Sequence, residues 1–102
     1  MTKYTLYVPV EAYTPAAKDI IEELTNVFGG CTRTKGFGSW INEHEVCIEE
    51  EVYVFTYLST QPWHELQYRV QGIERRITDM TGESCLLSTN EQVNITFTLA
   101  TS

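Results

Sequence analysis

The spacing of apolar residues along this chain switches from a period of two to a period of about 3.6 and back, twice over, and this alternation restricts the fold more than any other feature. Tyr4, Leu6 and Val8 alternate with Thr5 and Tyr7 as in a strand, and Pro9 limits how far that strand pairs. Thr14-Pro15 then offers an N-cap followed by proline at the first helical position, where its missing N–H costs nothing. Ala17, Ile20, Ile21, Leu24, Val27 and Phe28 draw one apolar stripe, and Gly29-Gly30 ends it. Buried, the stripe contributes on the order of 10 kcal/mol before chain entropy is subtracted, so this helix is expected to lie on a sheet.

Residues 31–35 read as extended, Gly36-Phe37-Gly38-Ser39 as a flexible loop, and Trp40-Ile41 as a resumed strand. Past a turn at Asn42-Glu43, residues 52–58 form the strongest β segment, apolar or aromatic on both faces. Ser59 or Thr60 is expected to cap a second helix with Pro62 in its first turn, running to about Thr81 before Gly82. Its apolar face holds Trp63, Leu66, Val70, Ile73, Ile77 and Met80; Glu65, Tyr68, Gly72, Arg75 and Asp79 stand opposite. Residues 85–99 are again extended, interrupted at Thr89-Asn90-Glu91 by a bulge or a short hairpin turn. Strand, helix, two strands, helix, strand is the ferredoxin-like β-α-β-β-α-β order: an α+β fold with an antiparallel sheet and two helices on one face. A length of 102 residues gives one core and one domain over 1–102.

Several classes of function are disfavoured by composition. A net charge of −7 with only seven basic residues argues against a nucleic-acid polymer as partner. No run is long and apolar enough for a membrane span, and the first fifteen residues do not form a secretory signal, so a cytoplasmic setting is expected. Cys31, Cys47 and Cys85 are odd in number and lack a C-x-x-C pair, so they are expected to be reduced, mostly buried thiols. The acceptor pattern Asn94-Ile95-Thr96 is then a chance match.

The segments Tyr4-Thr5-Leu6-Tyr7-Val8-Pro9, Val27-Phe28-Gly29-Gly30-Cys31-Thr32, Gly38-Ser39-Trp40 and residues 51–57 together resemble a set of short, uncharacterised prokaryotic proteins with a ferredoxin-like fold. The resemblance implies the fold and supplies no activity.

No residue pattern marks a catalytic, metal or cofactor site. His44 and His64, each with acidic neighbours, lack further ligands at a suitable spacing and read as surface residues. Glu43, Glu45, Glu49, Glu50 and Glu51 read as a solvated, edge-protecting run. Arg69, Arg75 and Arg76 read as ion pairs with Glu65 and Asp79 along their own helix. The candidate ligand residues are Arg33, Lys35 and Trp40, which combine positive charge, a glycine-rich backbone and an aromatic plane suited to a small anionic, nucleotide-like molecule. The candidate oligomer interface is the sheet face bearing Tyr53, Phe55 and Tyr57, taken as the side the helices leave open, together with Tyr68 and Gly72 on the outer face of helix 2. A non-enzymatic homo-oligomeric binding protein is the leading expectation. The alternatives are a dimeric α+β-barrel enzyme using His44 or His64 for proton transfer, and a pure interaction module.

Overall fold

The computed structural model describes residues 1–82 and 87–94. Its elements run β1 (Thr2–Pro9), a short 3-10 turn (Val10–Ala12), α1 (Pro15–Phe28), β2 (Thr32–Ile41), β3 (Cys47–Ser59), α2 (Trp63–Thr81) and β4 (Leu87–Gln92). The four strands form one antiparallel sheet in the order β2-β3-β1-β4, so β1 and β3 are central, as the ferredoxin-like order requires.

Local chemistry sets the helix ends. The Thr14 side chain accepts a hydrogen bond from the Ala17 N–H at 3.3 Å, and Pro15 takes the first helical position. Gly29 closes α1 at φ 92° and Gly82 closes α2 at φ 73°, a left-handed conformation that glycine enters without the Cβ clash. The start of α2 departs from expectation: its N-cap is Pro62, which offers no side-chain bond. Ser59 ends β3 instead, and its hydroxyl accepts from the Gln61 N–H at 3.1 Å, organising the turn into the helix.

Two expected breaks are absent. Gly36-Phe37-Gly38-Ser39 lies within the continuous strand β2, because β3 supplies a ladder partner to every residue from Thr32 to Ile41. Gly38 also leaves room for the Trp40 indole, which comes within 3.6 Å of where a Cβ would stand, beside Val52. Thr89-Asn90-Glu91 likewise belongs to β4, paired with Thr5, Tyr4 and Lys3. On an edge strand the weak β formers Asn90 and Glu91 need a ladder on one side only. Cys85, residues 95–99 and most of the Asn94-Ile95-Thr96 pattern lie outside the described residues.

The core lies between the sheet and both helices. Ile20, Ile21, Leu24 and Phe28 of α1 and Leu66, Val70, Ile73 and Ile77 of α2 pack on Tyr4, Leu6, Val8, Phe55 and Tyr57. Trp63 is half-buried and stacks on Tyr4 with ring centroids 5.8 Å apart, whereas Met80, in the last turn of α2, stays exposed. Both helices share one side of the sheet, as expected, but that side is the aromatic one. Tyr57 is fully buried and Phe55 is 4% exposed, so Tyr53, Phe55 and Tyr57 do not form the open face. Register is the reason: Tyr4, Leu6 and Val8 stand opposite Tyr57, Phe55 and Tyr53, and directly paired residues point to the same side. Lys3, Thr5, Tyr7, Val52, Val54 and Leu58 therefore face the side opposite α1 and α2.

Candidate functional site

The expected trio of Arg33, Lys35 and Trp40 is divided by the pleat of β2. Arg33 and Lys35 pair with Phe55 and Tyr53 and share the helix side, whereas Trp40 pairs with Ile48 and faces the open side. Arg33 is held by aromatics rather than by a carboxylate: its guanidinium carbon lies 5.1 Å from the Tyr53 ring centroid and 5.9 Å from that of Tyr13. The 3-10 turn after β1 delivers Tyr13, whose ring meets Tyr53 edge-on at 5.0 Å. Among the described residues Arg33 has no ion pair, so its N–H donors remain available to an anion while the rings limit its motion. Lys35 Nζ lies 3.0 Å from Glu51 Oε2; the hydrogen bond and then the charge of that carboxylate hold the ammonium pKa above its ordinary value. Lys35 thus adds positive potential beside Arg33 but is partly committed.

Deeper in, Tyr4 and Tyr57 bury their phenol oxygens without a hydrogen-bond partner among the described residues. Burial is the larger cause that pushes both pKa values far above the ordinary phenol value; the Glu74 carboxylate adds to it at Tyr4, and Cys31 adds to it at Tyr57. These phenols stay neutral at physiological pH and belong to the packing.

His44 sits in the β2–β3 turn, 3.6 Å from Glu43, and His64 in the first turn of α2; both are exposed, and neither lines the groove between α1 and α2. No group of three or more metal-ligating side chains occurs among those residues. Cys31 and Cys47 are free but exposed, Cys31 just before β2 and Cys47 at the start of β3 beside the turn, rather than buried as expected.

A second surface was read in the sequence only in part, through Tyr68 and Gly72 on helix 2. Between α1 and α2 runs an open groove of about 470 Å³, floored by Val27 and Ile73 and flanked by Glu23, Asn26, Tyr68, Arg69, Gly72 and Arg76. Arg76 does not pair along its own helix with Asp79; it crosses to Glu23 of α1 at 2.8 Å. Among the described residues Arg69 has no ion pair. Nothing approaches within 4 Å of where a Gly72 Cβ would stand, and Tyr68 beside it is 78% exposed. The sequence signal was present: Arg69, Gly72 and Arg76 recur at spacings of three and four, which places them on one helix face.

The β2–β3 hairpin forms a third surface. β1 pairs with β3 only as far as Val52, so the pairs from Phe37↔Glu51 to Ile41↔Cys47 continue as a two-stranded arm about 17 Å long. Asn42 locks its tip, the side-chain oxygen accepting from the His44 and Val46 N–H groups at 2.9 and 3.0 Å. Phe37 is 80% exposed and Ile41 69% on the helix-side face of this arm, while Trp40 lies on the opposite face.

No protein-family model and no curated protein matches the sequence. Among solved structures the chain is similar to CutA from Pyrococcus horikoshii, with a TM-score of 0.68 at 11% identity over 95% of this chain and 88% of the other. It is similar to a phage SAM lyase in complex with S-methyl-5'-thioadenosine, with a TM-score of 0.67 at 11% identity over 89% of this chain and 80% of that one. A DUF3240 family protein from Shewanella baltica gives 0.58 at 10% identity over 97% of both chains. At these identities the likeness establishes the ferredoxin-like fold. No helix among the described residues is long and apolar enough to cross a membrane.

Proposed function

We propose that this chain is a non-enzymatic, self-associating protein that binds a small anionic, nucleoside-like ligand beside Arg33. One observation carries the reading: an arginine with no carboxylate partner among the described residues is held over two tyrosine rings, with a lysine two positions along the same strand face. A guanidinium so placed can donate paired hydrogen bonds to a phosphate or carboxylate, and the rings give a planar base an apolar neighbour. The similar fold seen with S-methyl-5'-thioadenosine supports a nucleoside as the ligand class. Self-association is supported by the sheet face that neither α1 nor α2 covers, where Tyr7, Val54 and Leu58 leave apolar surface that a second copy would remove from water at about 25 cal/mol per Å².

Calorimetric titration with adenosine and with adenosine monophosphate tests the ligand. The monophosphate should bind more tightly than the nucleoside, and Arg33→Ala should weaken it at least about tenfold, the loss expected for a charge-assisted hydrogen bond. Equal affinity of wild type and Arg33→Ala, or no binding at millimolar concentration, refutes the site. Light scattering on the same samples reads self-association, which Val54→Glu should reduce.

A further inference from the structure

We infer that the groove between α1 and α2 receives the β2–β3 arm of a second copy of this chain, head to tail. Each surface carries features that its own protomer leaves unexplained. A glycine in the interior of α2 destabilises the helix by roughly 1 kcal/mol relative to alanine, yet among the described residues no group occupies the space above Gly72. Tyr68 is exposed beside it, and Arg69 has no ion pair among the described residues. The gap admits an incoming backbone, the ring supplies apolar area, and the arginine asks for an acid.

The arm supplies the complement. Its helix-side face places Phe37 and Ile41 beside Glu49, and the turn adds Glu43 and Glu45. Within the protomer that face lies beyond the last β1 pair, on the side where α1 and α2 cover the rest of the sheet. A helix pair from another molecule would thus extend the packing that the protomer already uses. Charge fits at one point of the groove: Arg76 is already paired with Glu23, but Arg69 has no ion pair among the described residues, while the arm and its turn present Glu43, Glu45 and Glu49. Lengths agree too, an arm of about 17 Å against a 14-residue and a 19-residue helix of about 21 and 28 Å. Head to tail, each copy gives its arm to the next and receives one from the copy before, so the assembly closes into a ring or continues as a filament.

The test is site-specific photo-crosslinking in the full chain, with p-benzoylphenylalanine in place of the exposed Tyr68 and a mixture of isotopically light and heavy protein. The expected product joins position 68 of one isotope to residues 37–49 of the other. Arg69→Glu should lower its yield roughly fivefold, the effect of one rim ion pair, and mixing with a Glu49→Arg chain should restore it. Products confined to one isotope, or mixed products on any other segment, overturn the inference. Val54→Glu, which acts on the opposite sheet face, should leave the cross-link in place, so loss of the sheet-face interface and loss of the arm contact are read separately.

Discussion

The β1–β3 centre of the sheet and the β2–β3 arm use the same ladder chemistry, but only the first is covered. In the centre, Tyr4, Leu6, Phe55 and Tyr57 are sealed by two helices; in the arm, Phe37 and Ile41 stand in water on the equivalent face. The arm projects about 17 Å past the last β1 pair, at Val52. Apolar residues stabilise a fold only where a second layer meets them. Residues of the centre therefore set global stability, and those of the arm contribute little to it.

The largest expected effect lies in the centre. Leu24→Ala removes a fully buried side chain and leaves a cavity, and should cost about 2–4 kcal/mol in chemical denaturation. Phe37→Ala removes a larger side chain from the arm, yet should shift the midpoint of dilute, unassociated protein by less than about 0.5 kcal/mol. Comparable losses at the two sites would show that the arm is buried in the folded protomer.

The second effect separates the regions by pH. Tyr4 and Tyr57 have folded-state pKa values raised above the unfolded value near 10, so the stability they contribute is complete below about pH 10 and falls as pH rises beyond it. Each adds a slope of about 1.4 kcal/mol per pH unit, together roughly 2–3 kcal/mol by pH 11. Denaturation at pH 8 and pH 11 should show this loss, and Tyr57→Phe should remove about half of it. That variant should also be neutral or slightly stabilising at pH 8, since it deletes a buried hydroxyl that has no partner among the described residues. A pH-independent wild type would mean that the phenols reach water.

How much of this could be read from the sequence depended on whether local pattern or register decided the matter. The helices were legible because stripe, cap and terminal glycine agreed over Thr14–Gly29, and the Thr81–Gly82 end of α2 was read on the same grounds. The side of the sheet on which Tyr53, Phe55 and Tyr57 lie was not, because β3 is apolar on both faces and alternation alone cannot say which one the helices cover. Pairing with β1 settles it, since there the alternation of Tyr4, Leu6 and Val8 with Lys3 and Thr5 is unambiguous. The glycines of β2 suggested a loop because glycine is a weak strand former, and only the ladder from β3 outweighs that preference. Arg33 was found by its charge and setting, whereas its two tyrosine neighbours come from segments twenty residues away on either side in the chain. The groove depended on the pairing of two helices, and its Arg76–Glu23 bridge spans 53 positions.

The smallest expected effect sharpens the contrast most. Asn42 holds the arm's tip with two hydrogen bonds from backbone N–H groups to its side-chain oxygen, and Asn42→Ala removes both. In a region integrated with the core, such a loss would appear as about 1 kcal/mol of global stability. In an arm that opens on its own, it appears instead as local fraying, because exchange there proceeds through sub-global opening. Hydrogen exchange of the His44 and Val46 amides should accelerate about five- to tenfold, while amides paired between β1 and β3 keep their rates and the denaturation midpoint moves by less than about 0.5 kcal/mol. Uniform acceleration across the whole sheet would join arm and centre into one cooperative unit and break the division drawn between them.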